Sequence, residues 1–124
     1  MKGVFLMKHI HFDVESDGFY GAYWEYRGGS GCTVIAMLGD DPEDYMARSA
    51  VKWLLRLGVN VLTMSPGKKD YGHHNYPIER IEKAIAWLKS HNNTKIGIAG
   101  ASTTGTLALT AASIFGDISL TVAM

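Results

Sequence analysis

The chain is short of several things that would each have pointed to a function. It has a single cysteine, Cys32, in 124 residues. One thiol excludes an internal disulfide and fits a reducing, cytoplasmic setting. No Cys/His cluster has zinc-ligand spacing, so neither a metal nor any other cofactor is expected. Neither sign of charge is in excess, since 12 basic and 12 acidic side chains give a formal net charge of zero. With no basic patch or stripe, nucleic acid is excluded as an expected partner. Long apolar runs are also missing. The stretch from Gly3 to Met7 is stopped by Lys8, too short for a signal peptide or a membrane span, so no membrane partner is expected. There is no internal repeat and no low-complexity tract.

What is present is a globular composition. The chain is 47% hydrophobic and carries three Trp, six Tyr and four Phe. Its length suits one domain, residues 1–124, able to bury roughly two thirds of its unfolded surface.

Alternation from about Val4 to Val14 predicts a half-exposed strand, with His9 and His11 on one face. Such a pair could hold a metal, but no third ligand is near it in sequence, and a surface pair is expected. Ser16-Asp17-Gly18 predicts a turn, and the aromatic run Phe19–Tyr26 a second strand antiparallel to the first. Thr33–Leu38 reads as a strand buried on both faces. Asp41 and Pro42 suit the N-cap and first position of a helix whose buried face would carry Met46, Ala50, Trp53, Leu54 and Leu57. Another strand, Val59–Met64, leads into a polar loop that holds His73 and His74. Pro77 then opens a helix with Ile78, Ile81, Ile85 and Leu88 inside. Ile96–Ala99 is a strand, a helix follows to about Phe115, and Ile118–Ala123 is the last strand. The pattern β-β-β-α-β-α-β-α-β predicts an α/β fold. Its sheet is mixed and mostly parallel, with an antiparallel first hairpin and helices on both faces.

The sharpest chemical signal is Gly100-Ala101-Ser102-Thr103-Thr104-Gly105. An apolar strand meets small residues around one serine, and a helix-spaced pattern follows. A strand that turns this abruptly into a helix needs small neighbours, and it lifts the serine hydroxyl clear of the sheet near a helix N-terminus. No phosphate-binding glycine pattern accompanies it.

This order of elements, with its serine corner after the fifth strand, resembles the first half of an α/β-hydrolase, truncated after the sixth strand. The branch it looks like is the acyl-CoA thioester hydrolase/bile-acid acyltransferase C-terminal domain, together with dienelactone-hydrolase-like enzymes. The resemblance implies a small-molecule acyl ester or thioester substrate and Ser102 as nucleophile. The backbone N–H of Thr103 would be one oxyanion donor, and that of Asp40, after the Thr33–Leu38 strand, the second. The family pattern G-x-S-x-G places glycine where this chain has Thr104. A β-branched residue there predicts wider spacing between strand and helix.

A nucleophilic serine needs a histidine and an acid, and the family order places both after it. After Ser102 the sequence offers only Asp117 and no histidine. Three readings stay open: a piece of a longer hydrolase, a chain completed by another chain or copy, or a non-catalytic assembly or binding module. An apolar sheet edge left by the missing strands predicts self-association into a homo-oligomer, or pairing with a complementing C-terminal half.

Overall fold

The computed structural model describes residues 9–65 and 76–124. Among the described residues, ten short elements make one sheet with helices on both sides. They are β1 (His9–Phe12), α1 (Val14–Asp17), β2 (Gly21–Trp24), β3 (Cys32–Met37), α2 (Tyr45–Arg56), β4 (Asn60–Met64), α3 (Glu79–Ser90), β5 (Lys95–Gly100), α4 (Thr103–Ile114) and β6 (Ile118–Ala123). The six strands lie in the order β1-β2-β4-β3-β5-β6. β1 pairs antiparallel with β2 and β2 with β4, whereas β4, β3, β5 and β6 run parallel. The expected fold class, a mixed and mostly parallel sheet with an antiparallel first hairpin, is the one found.

The parallel strands show why an unbroken apolar run was needed. In β3 Ile35 and Met37 enter one core cluster and Ala36 the other, because successive side chains alternate between faces. The larger cluster holds Ile35, Met37, Leu62, Ile96 and Ile98 under α3 and α4. The smaller one packs Ala22, Trp24, Ala36 and Val61 against Val51, Leu54 and Leu55 of α2. Below the sheet, buried Asn93 donates to the Leu88 carbonyl at 3.2 Å and accepts from Thr33 Oγ1 and from Asn60 at 3.1 Å. These bonds fasten the amino ends of β3 and β4 to the end of α3, which satisfies polar groups that burial would otherwise penalise.

Four local expectations are corrected. The first strand ends earlier than predicted: among the described residues it is His9–Phe12, and Val14 begins the single turn of α1, closed by Gly18. The second strand is Gly21–Trp24 within the expected Phe19–Tyr26, although Phe19 is buried beside it. α2 starts later than Pro42, because Asp44 is its N-cap and accepts from Ala47 N at 2.9 Å. Asp41 instead accepts from Glu43 N at 2.9 Å and from the Tyr20 hydroxyl at 3.3 Å. The buried face of α2 is Ala47, Ala50, Val51, Leu54 and Leu55, and Met46, Trp53 and Leu57 are exposed. α2 carries two overlapping apolar stripes, and the sheet took the one whose alanines allow closer approach. By contrast, Ile81, Ile85 and Leu88 of α3 are buried as expected. The loop with His73 and His74 lies outside the described residues.

Candidate active site

The parallel strands all end at one edge, and two turns leave that edge on neighbouring strands. Met37 of β3 is the register partner of Gly100 of β5. The chain after each therefore departs side by side, Gly39–Asp44 from one strand and Ala101–Ser102 from the other.

At the β5–α4 turn Ser102 is held at φ 58°, ψ −122°, one of two non-glycine residues with positive φ among the described residues. A side chain in this region costs on the order of 1–3 kcal/mol and persists only where its surroundings impose it. Here they do. Ser102 N–H donates to the Met124 carbonyl at 2.7 Å, and Met124 N–H donates to the Gly100 carbonyl at 3.0 Å, which extends the β5–β6 ladder into the corner. Thr104 Oγ1 accepts from Ala101 N at 2.8 Å and donates to the Ala101 carbonyl at 2.7 Å. Gly100 lies so close under the helix that a Cβ on it would sit 2.5 Å from the Thr104 carbonyl carbon.

The expected widening at Thr104 is thus corrected. The point of closest approach is Gly100, and the buried Thr104 side chain turns into the corner and stitches it. Ser102 is exposed, and its hydroxyl makes no hydrogen bond among the described residues. Thr103 begins α4, where a backbone N–H has no intrahelical acceptor, and none is found for it among the described residues. An exposed hydroxyl and an unused N–H meet at the positive end of a twelve-residue helix, a setting that favours negative charge.

The β3–α2 turn is the opposite. Gly39 has φ 92°, and a Cβ on it would stand 2.8 Å from Asp44 Oδ2. That carboxylate gathers the turn, accepting from Asp40 N at 2.7 Å, Asp41 N at 3.2 Å and Ala47 N at 2.9 Å. Burial alone would raise the Asp44 pKa, but these backbone donors together outweigh it and hold the carboxyl below the ordinary aspartate range. The Asp40 N–H, expected as the second oxyanion donor, is therefore engaged with Asp44. Asp40, Asp41 and Asp44 are all cap-type residues, and their spacing does not rank Asp44 above the Asp41-Pro42 pair. Nearby, burial first and then the Asp41 carboxylate push the Tyr20 phenol up, which keeps it a donor.

No described residue completes a triad at Ser102. Asp117 precedes β6 and so lies at the opposite, amino edge of the parallel strands, where it pairs with Lys89 at 2.7 Å. His91 ends α3 before β5 begins, stacked on Trp87 with ring centroids 3.8 Å apart. His9 and His11 are on β1, four strands from β5, or about 19 Å at the usual strand spacing. A concavity of about 730 Å³ lies over α2, lined by His9, Trp24, Tyr26, Arg48 and Leu55 among others, and does not include the serine corner.

The strand order, the helices on both faces and the serine corner after β5 define an α/β-hydrolase-like fold. Residues 76–124 match the family model described as BAAT/acyl-CoA thioester hydrolase C terminal. An esterase of Pyrococcus furiosus superposes with a TM-score of 0.76 at 20% identity, covering 98% of this chain and 51% of that one. A cold-adapted esterase from an Arctic intertidal metagenomic library gives 0.72 at 17% identity, over 93% of this chain and 59% of that one. An α/β-hydrolase from a Penicillium species gives 0.71 at 19%, over 94% and 44%. The chain thus spans about half the length of the first esterase, 51%. A comparison with curated protein sequences finds no match. Among the described residues no helix is long and apolar enough to cross a membrane.

Proposed function

We propose that this chain forms the nucleophile-bearing half of an acyl ester or thioester hydrolase, with Ser102 as the attacking group. The observation that carries the proposal is the strained backbone of Ser102. Its side chain makes no cap bond, so the corner holds an exposed hydroxyl that the helix start does not use. The family-model match supports an acyl-CoA thioester or related small-molecule substrate. In this reading the serine oxygen attacks the acyl carbonyl and the leaving alcohol or thiol departs with a proton. The resulting acyl-enzyme is then hydrolysed. The Thr103 N–H meets the developing oxyanion, and the Asp40 N–H joins it on exchanging its Asp44 partner. The acid and histidine are not among the described residues around Ser102 and come from a longer chain, a complementing half or another copy in an oligomer. A cytoplasmic setting suits the single thiol.

A second reading, a non-catalytic assembly or binding module on the same scaffold, is favoured by Asp117 lying at the wrong edge, paired with Lys89. A fluorophosphonate probe separates the two. The nucleophile reading expects a slow adduct on Ser102, accelerated by added imidazole as a substitute base and absent from Ser102→Ala. No adduct, or one that persists in Ser102→Ala, sinks that reading and leaves the module.

A further inference from the structure

His9 and His11 were expected to be a surface pair for want of a third ligand, and the fold supplies one. Among the described residues, His9, His11 and Glu43 bring one donor atom each within 4.8 Å of one another. Their source elements explain the meeting. β1 presents both histidines on one face, because they are two residues apart. Their register partners Trp24 and Ala22 belong to the core under α2, so that face is the α2 side of the sheet. The β3–α2 turn ends on this side and delivers Glu43 from the opposite direction.

The three side chains are held in place by different means. His9 is stacked on Trp24, with ring centroids 4.1 Å apart and planes 15° from parallel. The Glu43 carboxylate is oriented by Arg48, whose Nη2 donates to Oε1 at 3.1 Å while its Nε donates to the Glu43 carbonyl at 2.8 Å. This leaves Oε2 facing the imidazoles, 3.2 Å from His9 Nε2 and 2.5 Å from His11 Nε2. Oε2 is buried from solvent and has no hydrogen bond of acceptable geometry among the described residues, although two ring nitrogens converge on it. A buried carboxylate oxygen is normally satisfied. Two ring nitrogens and a carboxylate oxygen gathered in this way are a donor set that a shared cation would satisfy. With metal–ligand bonds near 2.0–2.1 Å, the edge of a zinc tetrahedron is about 3.3 Å. The His9–Glu43 separation already matches that edge. The His11 side chain is 64% exposed and free to open its shorter one.

We propose that His9, His11 and Glu43 form a binding site for a divalent cation of the zinc class. Two imidazole nitrogens and one carboxylate oxygen select a borderline metal over calcium or magnesium, which take all-oxygen shells. Three protein ligands leave a fourth position to water. Arg48 fixes the carboxylate while offsetting part of its charge, so binding is moderate in strength. The site ties β1 to the Gly39–Asp44 turn, and it stands apart from the proposed role of Ser102.

Titration calorimetry of the dialysed chain with zinc ion alone tests the site. One equivalent binds, and the thermal unfolding midpoint rises with it. His11→Ala alters an exposed side chain, and Glu43→Gln keeps the shape of its residue. Each weakens binding by at least about tenfold, the loss that even an outer-shell partner of a metal ligand produces. Circular dichroism of both variants stays that of the parent. Cobalt substitution gives the visible bands of a four-coordinate nitrogen/oxygen site, and these disappear in His11→Ala. Absence of stoichiometric binding overturns the proposal, as does binding that both variants leave unchanged.

Discussion

The two turns that leave the carboxyl edge of the sheet on adjacent strands handle their backbone donors in opposite ways. The β3–α2 turn spends them on itself, because the Asp44 carboxylate takes the N–H groups of Asp40, Asp41 and Ala47, and its one left-handed residue is a glycine. The β5–α4 turn puts its left-handed backbone on a serine and leaves the Thr103 N–H unused. One turn is organised for stability, and the other stores strain beside an exposed hydroxyl. Strain of this kind is held only where neighbouring contacts over-determine it, and Gly100, Thr104 and Met124 are those contacts.

Breaking the tightest of them has the largest expected effect. A methyl group on Gly100 would meet the backbone of Thr104, which cannot move without shifting the start of α4. Gly100→Ala is expected to lower stability by about 3 kcal/mol, the upper end for an overpacked site. Urea unfolding of parent and variant measures it, and a change within about 0.5 kcal/mol, the scatter of an ordinary surface change, would show that strand and helix are not in close contact there.

At the other turn, Asp44→Ala removes the N-cap of α2 and frees two further N–H groups, a loss of about 2 kcal/mol. The same carboxylate gives a pH dependence. Its folded pKa lies below the ordinary value, so its stabilising contribution is complete above that ordinary value and is lost as pH falls through the folded one. Parent and Asp44→Ala therefore differ most at neutral pH, and their stabilities approach each other on the acid side, below about pH 4. Parallel stability curves down to the lowest pH would contradict the cap.

Much of this comparison was legible in the sequence, and the reasons for the rest are physical. Thr33–Leu38, Val59–Met64 and Ile96–Ala99 announced buried parallel strands, because a strand covered on both faces has no polar position to spare. The serine corner was legible because only small residues fit where strand and helix cross. The N-cap of α2 was not, since Asp40, Asp41 and Asp44 compete within one short turn and Pro42 favours the wrong one. Its buried face was ambiguous because Met46, Trp53 and Leu57 form a second apolar stripe that local sequence cannot rank below the first. Glu43 gave no sign of joining His9 and His11, because only the folded sheet brings the second turn over the first strand.

The smallest expected effect tests whether the strain at Ser102 is real. Glycine accepts φ 58° without penalty, whereas alanine keeps a Cβ and its cost. Ser102→Gly is therefore expected to be more stable than Ser102→Ala by about 1 kcal/mol, even though glycine is the worse residue for the unfolded-chain entropy. Neither variant retains a hydroxyl, so both lose any fluorophosphonate adduct at this position, and stability and reactivity separate cleanly. Urea midpoints of the two variants decide it. If Ser102→Gly is the less stable of the pair, the corner is relaxed, and the observation on which the nucleophile reading rests is removed.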